Sequence, residues 1–578
     1  MVASAAVTSL GARTQHRTGN GAAATALALF GAAFVARMAI WLAFPDPAYP
    51  DSFYYVAVAR ELAAGTGFQV PFLWNFVDVG GHLPAAAALP LPLPSNAHWM
   101  PLASVVQVPF IWILGPTALA SSLPFWILGA IAAPLTYLLG RDAGLPDRVS
   151  VPAGVLMILP GAAAGYLGQP DNFALYMVLG ALSLWACARG LQGDRRAFAL
   201  GGLAVGLATL SRTDGVLLGV PFALVFAAEL GRRWRTRRVG DGSGGDERTR
   251  IGWAAALACF GLFLLMVGPW LLRDLAVFGS FSPSSASGRI LWVSDYQQLF
   301  SASDETTLTT FLAQGPVALL ESRVGGFVAA LVVIGGTPLL FFLVPLVLWG
   351  AWRHRTDPSF VPWAIYGATF LLLCGLVFAV HVPHGMALHS GLALIPHAYL
   401  LAFVGLEAAV ARVARRRPRW DVPRATRNLT VVVIAASWVF AGVATARLAA
   451  EWNAETADRA ALLAARPLPP EDRLMSPDPG AFWYRYGIVG VVTPNDPLAV
   501  IERVARDYGV RWLVIEREHA VPALRAVLDG SARPAWISAP LATVPAGRTE
   551  AEGSTASPRA ALYAVCTTPG DTRCSAEQ

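Results

Sequence analysis

The stretch GAAATALALFGAAFVARMAIWLAFPDPAYPDSFYYVAVARELAAGTGF, residues 21–68, changes solvent halfway along its length. Its first half, 22–44, carries a single charge, Arg37, and is as long as a helix must be to cross a hydrocarbon layer of about 30 Å. Arg13, His16 and Arg17 precede it, but the run is too long for a removable signal peptide and lacks a small-residue cleavage site, so it reads as a retained first helix. Its second half begins at a Pro-Asp pair and reads as a short helix that stops at Gly65 and Gly67. Asp51 at its start is open to two readings, an N-cap that accepts backbone N–H groups or a catalytic carboxylate held at the membrane surface.

The pattern repeats. Charge-poor runs recur at 118–139, 149–168, 172–188, 197–210, 215–230, 251–271, 326–349, 360–380, 390–410 and 428–448, which predicts about eleven crossings. Composition agrees, with 55% hydrophobic and only 14% charged residues in 578, against roughly a quarter charged in soluble domains. A simple soluble enzyme is excluded, and the chain is a polytopic α-helical membrane protein.

All 43 basic residues are Arg, and the net charge of +6 hides an asymmetry: from Glu451 onward the chain is net −3, which leaves +9 on the membrane part. With the N-terminus cytoplasmic, the inner segments hold 23 Arg, whereas the outer loops up to residue 390 hold five, namely Arg60, Arg212, Arg273, Arg289 and Arg323. Positive loops stay inside, so this bias predicts a multi-pass protein of the cell membrane with the C-terminal region outside. Arg spread over short loops presents no basic face, which argues against a nucleic-acid partner. The expected organisation is a cytoplasmic tail at 1–21, a transmembrane domain at 22–449 with outer loops at 46–100 and 273–325, and an extracytoplasmic domain at 450–578. The inner run GRRWRTRRVGDGSGGDERTR, 231–250, reads as a flexible tether.

The last region alternates β-like runs, Gly490–Thr493 and Trp512–Glu516, with an amphipathic helix from Leu498 to Tyr508, so a small α/β domain is expected. It has no GxGxxG or P-loop, hence no nucleotide site. Cys187, Cys259 and Cys374 fall in apolar spans as small buried side chains, while Cys566 and Cys574 lie where an oxidising compartment would permit a disulfide, left open here.

Polar residues gather at the outer ends of the helices. PLASVVQVPFIWIL, 101–114, is too short to span and reads as an interfacial or re-entrant segment, with His98 and Trp99 at its entry. GQPDNF carries Asp171 and Asn172, and SRTDG carries Arg212 and Asp214 between two short spans, an arrangement that draws polar residues into a protein-lined cavity or else closes a local turn. Arg273 and Arg289 lie in GPWLLRDLAVFGSF and SGRILWVSDYQQLF; each reads as a snorkelling anchor or as part of a guanidinium set for a phosphate. His381, His384, His389 and His397 have irregular spacing and no carboxylate nearby in sequence, so a polar patch is favoured over a metal site. Arg37, deep in the first span, is expected to snorkel outward or to meet an anionic headgroup.

An outward site with no nucleotide fold implies an activated substrate delivered through the membrane, and a polyprenyl-phosphate sugar meets that need. The order of YPDSFYYVAVARELAAGTGF, HWMPLASVVQVP, GLATLSRTDGVLLGVP, GPWLLRDLAVFGSFSPSS, HSGLALIPHAYLLAFVGL, SPDPGAFWYRYG and YGVRWLVIE resembles the bacterial GT-C glycosyltransferases, more narrowly the protein-mannosyltransferase and aminoarabinose-transferase-like group. The resemblance implies a GT-C-like membrane fold and sugar transfer from a polyprenyl-phosphate donor to a lipid, polysaccharide or protein acceptor, with inversion. It maps the catalytic acid of the first outer loop onto Asp51, as base, and the donor-phosphate arginines onto Arg212, Arg273 and Arg289. Related enzymes often carry two adjacent acids where this chain has Asp51-Ser52, so Asp171 is the candidate for the second carboxylate and a divalent-metal ligand. His98 and His389 complete the candidate substrate-binding set. The rival readings are a transporter or lipid flippase, and a scaffold that presents the C-terminal domain.

Overall fold

The computed structural model describes residues 19–76, 91–239, 251–279, 281, 290–381, 385–417, 419–545, 557–567 and 572–574. Arg289, His384, most of the expected cytoplasmic tail and residues 240–250 of the expected tether lie outside the described residues.

Among the described residues, eight helical segments are long and apolar enough to cross a membrane: Gly21–Ala43, Ala118–Asp142, Phe173–Leu191, Thr213–Arg235, Gly252–Phe278, Pro316–Gly336, Ala387–Ala414 and Val422–Ala465. The other three expected spans are built from shorter pieces. Arg195–Ser211 and Val361–Leu376 are helices of 17 and 16 residues. The span at 149–168 is a helix, Asp147–Leu156, that breaks and resumes as a 3₁₀ turn at Gly161–Gly165. The span expected at 326–349 begins earlier, at Pro316, and is interrupted between Gly336 and Val344. Periodicity reports where apolar residues accumulate, but it cannot report a break that neighbouring side chains repair.

Small residues bring the helices together. A Cβ at Gly202 would lie 1.8 Å from the Cys259 carbonyl oxygen, and one at Gly350 would lie 1.9 Å from that of Leu401. Glycine at such crossings admits backbone-to-backbone packing, where apolar lipid supplies no hydrophobic drive between helices.

Arg37 does not snorkel. It is fully buried, and its guanidinium donates to the carbonyls of Ile158 (2.7 Å) and Ala164 (3.3 Å). Those carbonyls belong to the broken stretch between Leu156 and Phe173, where only the short 3₁₀ turn at Gly161–Gly165 is helical. Non-helical backbone at membrane depth survives only where protein satisfies it, and Arg37 does so here. R37M should therefore lower stability by about 2–4 kcal/mol, because it strands two buried carbonyls. A fall of several degrees in the thermal midpoint of the detergent-purified protein would show this, and an unchanged midpoint would refute it.

The C-terminal region is the small α/β unit expected. Its strands are β3 (Arg473–Ser476), β4 (Gly490–Val492), β5 (Val510–Glu516), β6 (Ala542–Val544) and β7 (Ala560–Ala564), after a two-residue pair β1 (Gln69–Val70) and β2 (Leu93–Pro94). The sheet order is β4-β3-β5-β7-β6, with β3 parallel to β4 and β5, and β7 antiparallel to β5 and β6. The amphipathic helix forms at Leu498–Asp507 and buries Ile501, Val504 and Ala505. A disulfide joins Cys566 to Cys574.

This unit is fastened to the membrane region. Leu73 extends the β4 edge through Leu73 N–H to Gly490 O (3.1 Å) and Val492 N–H to Leu73 O (2.8 Å). Asp496 accepts from Ser301 Oγ (2.8 Å) and the Ala302 N–H (2.7 Å), and Arg485 pairs with Asp46 at 3.1 Å. The loops around residues 46–76 and 290–303 are thus held between the bundle and the sheet.

Candidate active site

Asp51 occupies the first turn of the helix Pro50–Ala64. Pro50 sets the helical φ at the first position, Tyr49 is the N-cap, and Gly65 terminates the helix with φ +82°. Asp51 is therefore not the N-cap, since Tyr49 holds that position and Pro50 the first helical one.

Around Asp51 lies a cavity of about 450 Å³, lined also by Tyr55, His98, Asn172, Arg212, Asp214 and His389 among others. Asp171 is fully buried behind Asn172; it accepts from the Tyr49 hydroxyl (3.0 Å) and from the Asn172 N–H (2.5 Å). Asn172 in turn donates to Tyr55 Oη (3.1 Å) and lies 2.5 Å from His389 Nδ1 through its Oδ1. The His389 ring stacks on Phe173 with centroids 3.6 Å apart. Tyr49, Tyr55, Asp171, Asn172 and His389 are thus joined by hydrogen bonds into one brace beside Asp51.

Arg212, which also lines the cavity, ends the helix Arg195–Ser211 in extended backbone. Its Nε lies 3.1 Å from Asp214 Oδ1 and 3.2 Å from Ser390 Oγ, and Ser390 also hydrogen-bonds Asp214. The guanidinium is thus aimed by a carboxylate on one side, with four further N–H donors on its fork.

The ligand atoms of Asp51, Asp171 and His389 all lie within 4.8 Å of one another. Burial raises the Asp51 carboxyl to about 8, and the nearby Asp171 adds to the shift. Burial also raises Asp171, although hydrogen bonds from Asn172 and Tyr49 oppose it. Two carboxylates so close do not both ionise cheaply; a shared proton or a cation resolves the conflict. Two carboxylate oxygens and an imidazole nitrogen form a donor set that fits a divalent cation.

Of the residues expected from sequence, Asp51, Asp171, Arg212, His98 and His389 converge here. Asp171 and Asp51 are the carboxylates that the histidine cluster lacked in sequence. His397 stays apart, facing Phe360 and Leu139. Arg273 does not line the cavity; it donates to Ser95 O (2.7 Å), pairs with Asp274 at 3.1 Å and lies over the Trp270 ring. Its contact supports the Ser95–Trp99 loop that carries His98. Trp74 and Tyr296, which also line the cavity, had no signal in the sequence beyond being aromatic.

Residues 98–240 match the family model described as dolichyl-phosphate-mannose-protein mannosyltransferase. No curated protein matches the sequence. Among solved structures, the chain is similar to the apo oligosaccharyltransferase of Archaeoglobus fulgidus at 12% identity, with TM-score 0.47, covering 85% of this chain and 70% of that one. It is similar to ArnT from Cupriavidus metallidurans bound to undecaprenyl phosphate at 15% identity and TM-score 0.48, over 96% of this chain and 99% of that one. It is also similar to the arabinofuranosyltransferase AftD from Mycobacteria at 16% identity and TM-score 0.38, over 93% and 41%. The stretch that matches the family model, about a quarter of the chain, is also the one that supplies His98, Asn172 and Arg212 to the cavity and Asp171 to the acid pair beside it.

Proposed function

We propose that the enzyme transfers a sugar from a polyprenyl-phosphate donor to a hydroxyl acceptor on the outer face of the membrane, with inversion, and that Asp51 is the base. The observation that carries this is the meeting of an acid pair, Asp51 and Asp171, with an oriented guanidinium, Arg212, at one cavity. The Arg bias of the inner loops supports an outward-facing site, and the undecaprenyl phosphate named for the ArnT structure supports a lipid-linked donor.

In the reaction the acceptor oxygen attacks the anomeric carbon while the bond from that carbon to the phosphate oxygen breaks. The acceptor proton passes to Asp51, and the electron pair leaves with the lipid phosphate. Arg212 stabilises the charge that develops on the departing phosphate. A single displacement inverts the anomeric centre. Asp51, Asp171 and His389 would hold a divalent cation, which would supply positive charge beside the donor phosphate. Incubation of the purified chain with radiolabelled polyprenyl-phosphate sugars and a hydroxyl acceptor tests the reading; a glycosidic product of inverted configuration supports it, and donor consumption without one refutes it.

A pH dependence follows. A base must be unprotonated, so transfer should rise with pH along a limb set by Asp51. Since burial and Asp171 raise Asp51, that limb belongs well above the usual carboxylate value of about 4. In metal-free buffer kcat/KM should still be climbing near neutrality, and added Mn²⁺ should move the limb to lower pH. A limb at the ordinary carboxylate position in metal-free buffer would remove Asp51 from the role of base.

A further inference from the structure

A second cavity, of about 740 Å³, opens on the other side of Asp51, between the bundle and the C-terminal sheet, and shares Asp51, Trp74 and Tyr296 with the first. Glu455, Glu518 and His519 lie together on its wall, on the side away from Asp171 and His389. We propose that these three side chains form a separate site for zinc or a similar first-row dication, and that the ion clasps the C-terminal unit to the long helix Val422–Ala465. The proposal does not depend on the glycosyl-transfer reading.

The ligands come from two distant segments of the chain. Glu455 follows Trp452 by three residues on the helix that begins in the bundle at Val422. Glu518 and His519 are neighbours in the 3₁₀ turn Arg517–His519, which follows β5 directly. One ligand atom from each of the three lies within 4.8 Å of the other two. An ion held there would therefore tie the end of a sheet strand to the helix.

One distance separates a cation site from an ordinary ion pair. His519 Nε2 and Glu455 Oε1 are 3.5 Å apart, longer than the roughly 2.7–3.2 Å of an N–H···O hydrogen bond. Two ligands bound tetrahedrally to one zinc ion, each at about 2.0–2.1 Å, stand about 3.4 Å from each other. The pair already has the separation that a shared ion requires.

Arginines close by are engaged elsewhere. Arg459 is held by Glu516 at 2.7 Å and Asp478 at 3.4 Å, and stays 3.7 Å from Glu455. Arg517, next to Glu518, pairs with Asp529 at 2.8 Å, and Glu518 makes no ion pair among the described residues. Two carboxylates and an imidazole suit zinc and its neighbours, whereas calcium and magnesium favour a shell of oxygens. The side chains of Glu455 and His519 are 30% and 46% exposed, so water can fill the remaining coordination positions.

The test keeps this site apart from the Asp51 cluster. Chelator-stripped full chain in lipid nanodiscs is titrated calorimetrically with Zn²⁺, and amide hydrogen exchange is followed with and without the ion. A binding event should persist in D51N, which removes a ligand of the other cluster, and should weaken at least tenfold in D51N/E455Q and in D51N/H519Q. Zn²⁺ should slow exchange at residues 452–459 and 512–520 of D51N and leave both double variants unchanged. The substituted side chains are partly exposed, and ion-free thermal midpoints equal to that of D51N show that the double variants fold. If D51N binds no Zn²⁺, if the double variants bind it as D51N does, or if Ca²⁺ binds more tightly than Zn²⁺, the assignment falls.

Discussion

D51N should reduce sugar transfer by ~10³-fold or more, within the range of general-base catalysis, while the protein still folds and inserts. The expectation of normal folding has a physical basis. Burial and Asp171 both oppose the ionised form of Asp51, so an uncharged amide of the same shape relieves repulsion instead of creating it. Asp171 keeps its bonds from Tyr49 and Asn172 in the variant. Loss of activity with an unchanged thermal midpoint and intact donor binding would therefore report chemistry and not collapse. Wild-type turnover in D51N would remove this carboxylate from the reaction.

The second large effect is expected at Arg212. R212K keeps a positive charge beside Asp214 but loses the planar fork that binds two phosphate oxygens at once. Its kcat should fall about 10²-fold, the size of effect seen when a transition-state donor is removed, with weaker donor binding as well. Lysine is the informative substitution because a neutral residue would leave Asp214, whose side chain is only 9% exposed, without its counter-charge. Purified R212K that folds normally, with unchanged donor affinity and kcat, would show that the phosphate lies elsewhere.

In sequence Arg212 and Arg273 are alike, each an Arg at the end of an apolar run with an Asp one or two residues on. Tertiary contacts separate them: one is directed into the cavity by Asp214 and Ser390, and the other holds the Ser95 carbonyl among aromatic rings. Asp51 was legible because Pro50 and Gly65 mark a short helix in the first outer loop, and the family resemblance pointed to the same residue. Arg37 was misjudged, because snorkelling is the usual fate of an Arg within a span, and only the break after Leu156 creates carbonyls for it to satisfy.

The sequence by itself determined the membrane class, the crowding of polar residues at helix ends and the α/β character of the tail. These follow from local composition and period, which need no knowledge of distant contacts. The tertiary structure alone decided that Asp51, Asp171 and His389 share one site, that Asp51 and Arg212 line one cavity, and that a second cavity reaches the same carboxylate from the sheet side. The reason is the crossing of helices at glycines such as Gly202 and the break repaired by Arg37. These bring together residues hundreds of positions apart, which periodicity does not encode.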